Sequence, residues 1–177
     1  MNKEFAGIGL LLLFALPLTS CQHGRQQQNR PNIVDVEEKI RSSLIGRSCS
    51  TVNLVIPTEE LHEQTEAQIV LLYNGYDCDK CIEDGFSIAK YIDAHFSRQR
   101  VFIVSIMANT GFDQLRFDYS HYIFTDDSDV IRKELKYVPT PVMLQIDTSW
   151  YISDAIYLGV TNNVTRSQFI HSILSNQ

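Results

Sequence analysis

Two apolar runs with one amphipathic stretch between them constrain this chain more than any other feature. Gln68-Ile69-Val70-Leu71-Leu72-Tyr73 is almost continuously apolar, the pattern of a strand covered on both faces in a parallel sheet. After a turn containing Gly75, the residues Ile82, Phe86, Ala89, Ile92 and Phe96 recur every three or four positions, which predicts a helix from about Asp79 to about Phe96. Val101–Met107 is a second apolar strand. Strand, helix and strand within about forty residues make a βαβ unit, whose crossover is right-handed. The fold class is α/β.

Upstream, Asn32 can cap a helix, Asp35, Glu37 and Glu38 suit its first turns, and Ile33, Val36, Ile40 and Leu44 repeat at helical spacing before Gly46. Val52–Ile56, ended by Pro57, reads as a strand, and the acidic Thr58–Glu66 as a loop or short exposed helix. Downstream, Thr110–Phe117 is weakly helical and Tyr122-Ile123-Phe124 extended. Asp127 or Ser128 is expected to cap a short helix through Leu135. Val142–Ile146 and Ala155–Leu158 read as an antiparallel pair joined by the turn-rich Asp147–Asp154 and closed by Gly159. Thr165 is expected to cap a last helix carrying Phe169, Ile170, Ile173 and Leu174.

Met1–Ser20 has the layout of an export signal: a short polar start with Lys3, an apolar stretch from Ala6 to Leu18, then small residues before Cys21. The stretch is too short for a bilayer span, which takes about 20 residues. Leu18-Thr19-Ser20-Cys21 resembles the lipobox of bacterial lipoproteins. That resemblance implies cleavage before Cys21, acylation of its sulfur, and a chain held on the cell-envelope bilayer facing the periplasm. An ordinary signal ending beside a cysteine would instead give a lipid-free product. The polar residues 22–31 read as a flexible leash, and 32–177 as one domain with an N-terminal helical extension. The net charge of −6, with no cluster of Lys and Arg, argues against a nucleic-acid partner.

With Cys21 committed to lipid, three of the four cysteines remain: Cys49, Cys78 and Cys81. Cys78-Asp79-Lys80-Cys81 falls where the apolar strand hands over to the amphipathic helix. There, unpaired N–H groups and the macrodipole favour an anion, so Cys78 gains thiolate character while Cys81 lies one turn on, within reach of its sulfur. Such a pair can cycle between dithiol and disulfide. The same motif also occurs as a structural disulfide or as half of a zinc site. The other half is missing: no second C-x-x-C exists, and His23, His62, His95, His121 and His171 are dispersed. No metal or cofactor is expected.

At this point the chain resembles the thioredoxin fold, in the layout of the TlpA-like and redoxin-like thiol–disulfide proteins of bacterial envelopes, from about Val52 to Leu174. The resemblance implies a three-layer α/β/α sandwich with a mixed central sheet. Its second landmark is Tyr137-Val138-Pro139-Thr140-Pro141-Val142-Met143-Leu144, similar to the loop in which a cis-proline precedes a strand. By that match Pro141 is the cis-proline and Thr140 binds the substrate chain as a short added strand. Two trans prolines in a surface turn are the alternative. The segment Asp126–Leu135 is similar to the aspartate-led helix before that loop.

The chain departs from the pattern in three places. Asp77 stands where the family has Trp, no Pro lies between the cysteines, and Leu72 takes the place of a buried carboxylate. Asp77, Asp79, Glu83 and Asp84 also crowd the motif against Lys80 alone. Each acid at about 7 Å in water-like surroundings costs a thiolate about 0.6 kcal/mol, and a helix N-terminus returns about 0.3–1 kcal/mol. The two effects oppose one another, and Cys78 is expected near the ordinary thiol value of about 8.5.

Cys49 reads as a small buried hydrophobe, His121 as a surface or capping residue, and Trp150 and Tyr151 as turn residues that either fill the core or meet a partner. Two functions remain open. One is a membrane-tethered oxidoreductase exchanging disulfides in envelope proteins and serviced by an upstream membrane reductant. The other is a binding module on the same scaffold.

Overall fold

A computed structural model describes residues 33–175 apart from 58, 62–66, 97, 108–109 and 160–162. The export signal, Cys21, the leash and the Asn32 cap lie outside the described residues. At the centre is β1 (Gln68–Asn74), paired in parallel with β2 (Val101–Ile106) and antiparallel with β4 (Val142–Ile146). β3 (Ile123–Thr125) extends the sheet beyond β2 and β5 (Ile152–Tyr157) beyond β4, giving the order β3-β2-β1-β4-β5.

Side chains alternate across this sheet, and each face has its own core. Val70, Leu72, Phe102, Val104, Val142 and Leu144 point to one side. They meet Leu44 of α1 (Ile33–Leu44), Val52 of α2 (Val52–Val55) and Ile131 of α5 (Val130–Glu134). Ile69, Leu71, Tyr73, Ile103 and Met143 point to the other side. There Phe86, Ala89 and Ile92 of α3 (Asp79–Asp93), with Phe169 and Ile173 of α6 (Asn163–Ser175), cover them. Fully burying each such aliphatic or aromatic side chain contributes about 1.5–3 kcal/mol. The double covering explains the unbroken apolar runs of β1 and β2, which are buried along nearly their whole length. α4 (Thr110–Arg116) lies in the excursion between β2 and β3. The architecture is the expected three-layer α/β/α sandwich with a mixed sheet.

Three local expectations are corrected. Val52–Val55 forms helix α2, not a strand, with Ile56 its extended C-cap: Val52 and Ile56, four positions apart, are both buried while Leu54 is 76% exposed. The run of β-branched and apolar residues suits either structure. The cap of α5 is neither Asp127 nor Ser128. The Asp126 carboxylate accepts the N–H groups of Val130 and Ile131, both at 2.9 Å, and Asp129 occupies the N-cap with φ +53°. Thr165 lies inside α6, which starts at Asn163. Among the described residues no helix is long and apolar enough to cross a membrane.

Candidate active site

β1 ends at Asn74 and turns sharply. The Asn74 side-chain oxygen accepts the Tyr76 N–H at 3.0 Å, and the Asp77 carboxylate accepts the Asn74 N–H at 2.8 Å. Gly75 donates to the Ile106 carbonyl at 3.2 Å, which rests the turn on the end of β2. The turn delivers Cys78 to the N-cap of α3. Its carbonyl accepts from Cys81 and Ile82 at 2.9 and 3.0 Å, and its Sγ accepts the Cys81 N–H at 3.2 Å. Cys78 and Cys81 are joined as a disulfide with their Cα atoms 5.2 Å apart. Cys78 is exposed and Cys81 half-buried, so attack on the pair from solvent comes at Cys78.

The second landmark comes from the other side of the sheet. The Thr140–Pro141 peptide is cis, both residues are buried, and the Pro141 carbonyl accepts the Leu158 N–H at 2.9 Å as the chain enters β4. The Thr140 hydroxyl donates to the Asp77 carboxylate at 2.9 Å, across 63 positions of sequence. The residue before the first cysteine is thus bonded to the residue before the cis-proline. Burial pushes the Asp77 carboxyl above its ordinary value, opposed by hydrogen bonds from Asn74 and Thr140 and by the charge of Arg132.

The charges around the motif extend beyond the one lysine that the local sequence supplies. Lys80 pairs with Asp84 at 2.9 Å and with Glu83 at 3.4 Å. Arg116 of α4 reaches Asp79 at 3.2 Å, and Arg166 of α6 reaches Asp84 at 2.7 Å. Burial alone would raise Asp84, yet Lys80 and Arg166 outweigh it and hold the carboxyl below its usual range. Two arginines from separate elements thus pair with the acids that the local sequence sets against one lysine, while Arg132 of α5, bound through two bonds to Asp129, acts on Asp77 only by its charge. The Lys80–Glu83 and Arg116–Asp79 pairs are largely solvated and individually weak, about 0–1 kcal/mol, whereas the Arg166–Asp84 pair is about three-quarters buried. The two arginines place positive charge among the acids that surround Cys78.

Leu72 is fully buried among apolar neighbours in β1. Cys49 is also fully buried and is the free thiol among the described residues; burial pushes it up to about 12, with the charge of Glu134 adding to the effect. His121 is half-buried against the Tyr119 ring. Trp150, at φ +64°, packs on the core while Tyr151 is half-exposed beside it. The sequence reading missed the three arginines and the Asp77–Thr140 bond. The local signal was the acid at Asp77, beside the first cysteine, which names no partner.

Solved structures share this arrangement of elements. A thiol-disulfide isomerase from Corynebacterium glutamicum superposes with a TM-score of 0.50 at 16% identity, covering 69% of this chain and 88% of its own. A protein described as the thiol:disulfide interchange protein DsbE of Chlorobium tepidum does so with a TM-score of 0.51 at 9% identity, covering 74% and 96%. A hypothetical protein from Sinorhizobium meliloti gives 0.50 at 16% identity, over 75% and 85%. At such identities the likeness shows the fold, which is thioredoxin-like. No protein-family model matches the chain, and no curated protein matches it.

Proposed function

We propose that this chain is a thiol–disulfide oxidoreductase, tethered through acylated Cys21 to the envelope membrane, that exchanges disulfides with envelope proteins. One observation carries the reading: an exposed C-x-x-C disulfide at the N-cap of α3, bonded through Asp77 to the cis Thr140–Pro141 loop. In the reducing direction the Cys78 thiolate attacks one sulfur of a substrate disulfide. That bond breaks, the other substrate sulfur leaves as a thiolate and takes up a proton, and a mixed disulfide forms at Cys78. Cys81 gives up its proton and attacks the Cys78 sulfur, which releases the second substrate thiol. Two electrons have passed to the substrate, and the pair ends as the disulfide seen here. A membrane dithiol reductant restores it. Thr140 and Pro141 hold the substrate chain beside Cys78 as a short added strand.

Replacing Cys81 by Ser removes the resolving thiol and is expected to trap envelope proteins on Cys78, visible as reductant-sensitive adducts in non-reducing gels. Cys78→Ser traps none. A wild-type pair that neither opens with mild reductant nor traps a partner in the Cys81→Ser chain overturns the reading. It would favour the binding module, a reading that the wholly apolar site at Leu72 supports. The tether has its own test: Cys21→Ala moves the chain from the membrane to the soluble fraction.

A further inference from the structure

The bond between Asp77 and Thr140 joins the two halves of the site, and each partner is held on its far side as well. Asp77 is fixed by the Asn74 N–H within the turn after β1. Thr140 is buried, and its backbone continues into the cis peptide. Thr is β-branched, so fixing its hydroxyl fixes χ1 and leaves the attached backbone little freedom. Trp, the family's residue at position 77, has no acceptor to offer a hydroxyl.

We infer that Asp77 is a positioning residue: its carboxylate holds the Thr140 hydroxyl, and so sets the peptide that receives the substrate chain next to Cys78. This rests on the oxidoreductase reading and deepens it, because it makes capture of a polypeptide, as opposed to attack on any disulfide, depend on one side chain. Arg132 of α5, whose guanidinium is bound to Asp129, and Tyr157 of β5 are the charged and titratable groups that act on Asp77 from the elements packed around it. Arg132 favours the ionised carboxylate. Burial, which favours the neutral acid, sets the opposite pull.

The test uses the reduced full chain and two disulfides: a decapeptide whose single cysteine is glutathionylated, and oxidised glutathione, which offers no added strand. The ratio of their second-order rate constants cancels the reactivity of the Cys78 sulfur itself. Thr140→Val keeps shape and branching and loses the donor, so the ratio is expected to fall about tenfold, the scale of one lost hydrogen bond to a charged group. Asp77→Ala should fall as far, and Asp77→Ala with Thr140→Val no further. Thr140→Ser, which keeps the hydroxyl, should restore the ratio to within about threefold. In the wild type the ratio should drop as acid neutralises Asp77, a limb absent from Asp77→Asn. A merely structural bond would change thermal stability and leave both ratio and limb in place, which would overturn the inference. If Asp77→Ala does not fold, the two Thr140 variants measure the same bond from its other end. A wild type inert toward both disulfides overturns the oxidoreductase reading and the inference with it. A reactive wild type with unchanged variants overturns the inference alone.

Discussion

Cys78 and Cys49 are the same residue in opposite settings. Cys78 caps a fifteen-residue helix, is exposed, and has Cys81 bonded to it. Cys49 has no exposed surface, donates its N–H to the Trp150 carbonyl at 2.8 Å, and lies between two serines that both bond to Glu134. That carboxylate accepts from the Ser48 hydroxyl, from the N–H and hydroxyl of Ser50, and from the N–H and hydroxyl of Thr51, at 2.6–3.1 Å. Burial sets the thiol of one beyond chemical reach, and a helix end presents the sulfur of the other. What separates a reactive cysteine from an inert one here is the fate of the backbone around it, since neither tripeptide by itself distinguishes them.

The largest expected effect tests that contrast directly. In the reduced native protein at neutral pH, iodoacetamide should modify Cys78 at least about a thousandfold faster than Cys49. The rise of the Cys49 thiol from 9.0 to about 12 alone removes that much thiolate. Peptide mass spectrometry over a time course reads both rates. Urea should bring them together, and comparable rates without urea would break the comparison.

A smaller effect comes from opening the clasp around Cys49. Glu134→Ala should cost about 1–2 kcal/mol in urea unfolding, discounted for the partial exposure of the carboxylate, and should speed Cys49 alkylation about tenfold by local opening. The clasp is also acid-labile. Despite burial, bonds from Thr51, Ser48 and Ser50 lower the folded-state value of Glu134 below its ordinary 4.5. Its contribution is therefore complete above about pH 4.5 and disappears as the pH falls through the lowered folded value. Glu134→Gln should flatten that acid limb of the stability profile, and an unchanged limb would place its cause elsewhere. The smallest effect belongs to the other cysteine: Arg116→Ala leaves Asp79 unanswered and should slow Cys78 alkylation about twofold, a difference that about 0.5 M salt erases.

Most of the scaffold was legible because its signals are local. The spacing of Ile82, Phe86, Ala89 and Ile92 belongs to one helix, and the apolar runs at 68–73 and 101–107 belong to strands that are covered on both sides. Where two local readings compete, the sequence falters. Val52–Ile56 suits a strand or a helical turn, and burying Val52 and Ile56 together decides for the turn. Asp127 and Ser128 both suit a cap by residue type, and only the path of the chain out of β3 puts the carboxylate of Asp126 against the free N–H groups of α5 instead.

The sequence by itself determined the layered α/β arrangement and put Cys78 at the head of a helix with Cys81 one turn behind, because periodicity, caps and helix ends act between residues a few positions apart. Only the tertiary structure decided what surrounds that pair. Asp77 finds Thr140, and Arg116, Arg132 and Arg166 come to the acids, from elements 37 to 82 positions away along the chain. No local pattern encodes such meetings, since they depend on how the sheet stacks its helices and on burial that single residues cannot specify.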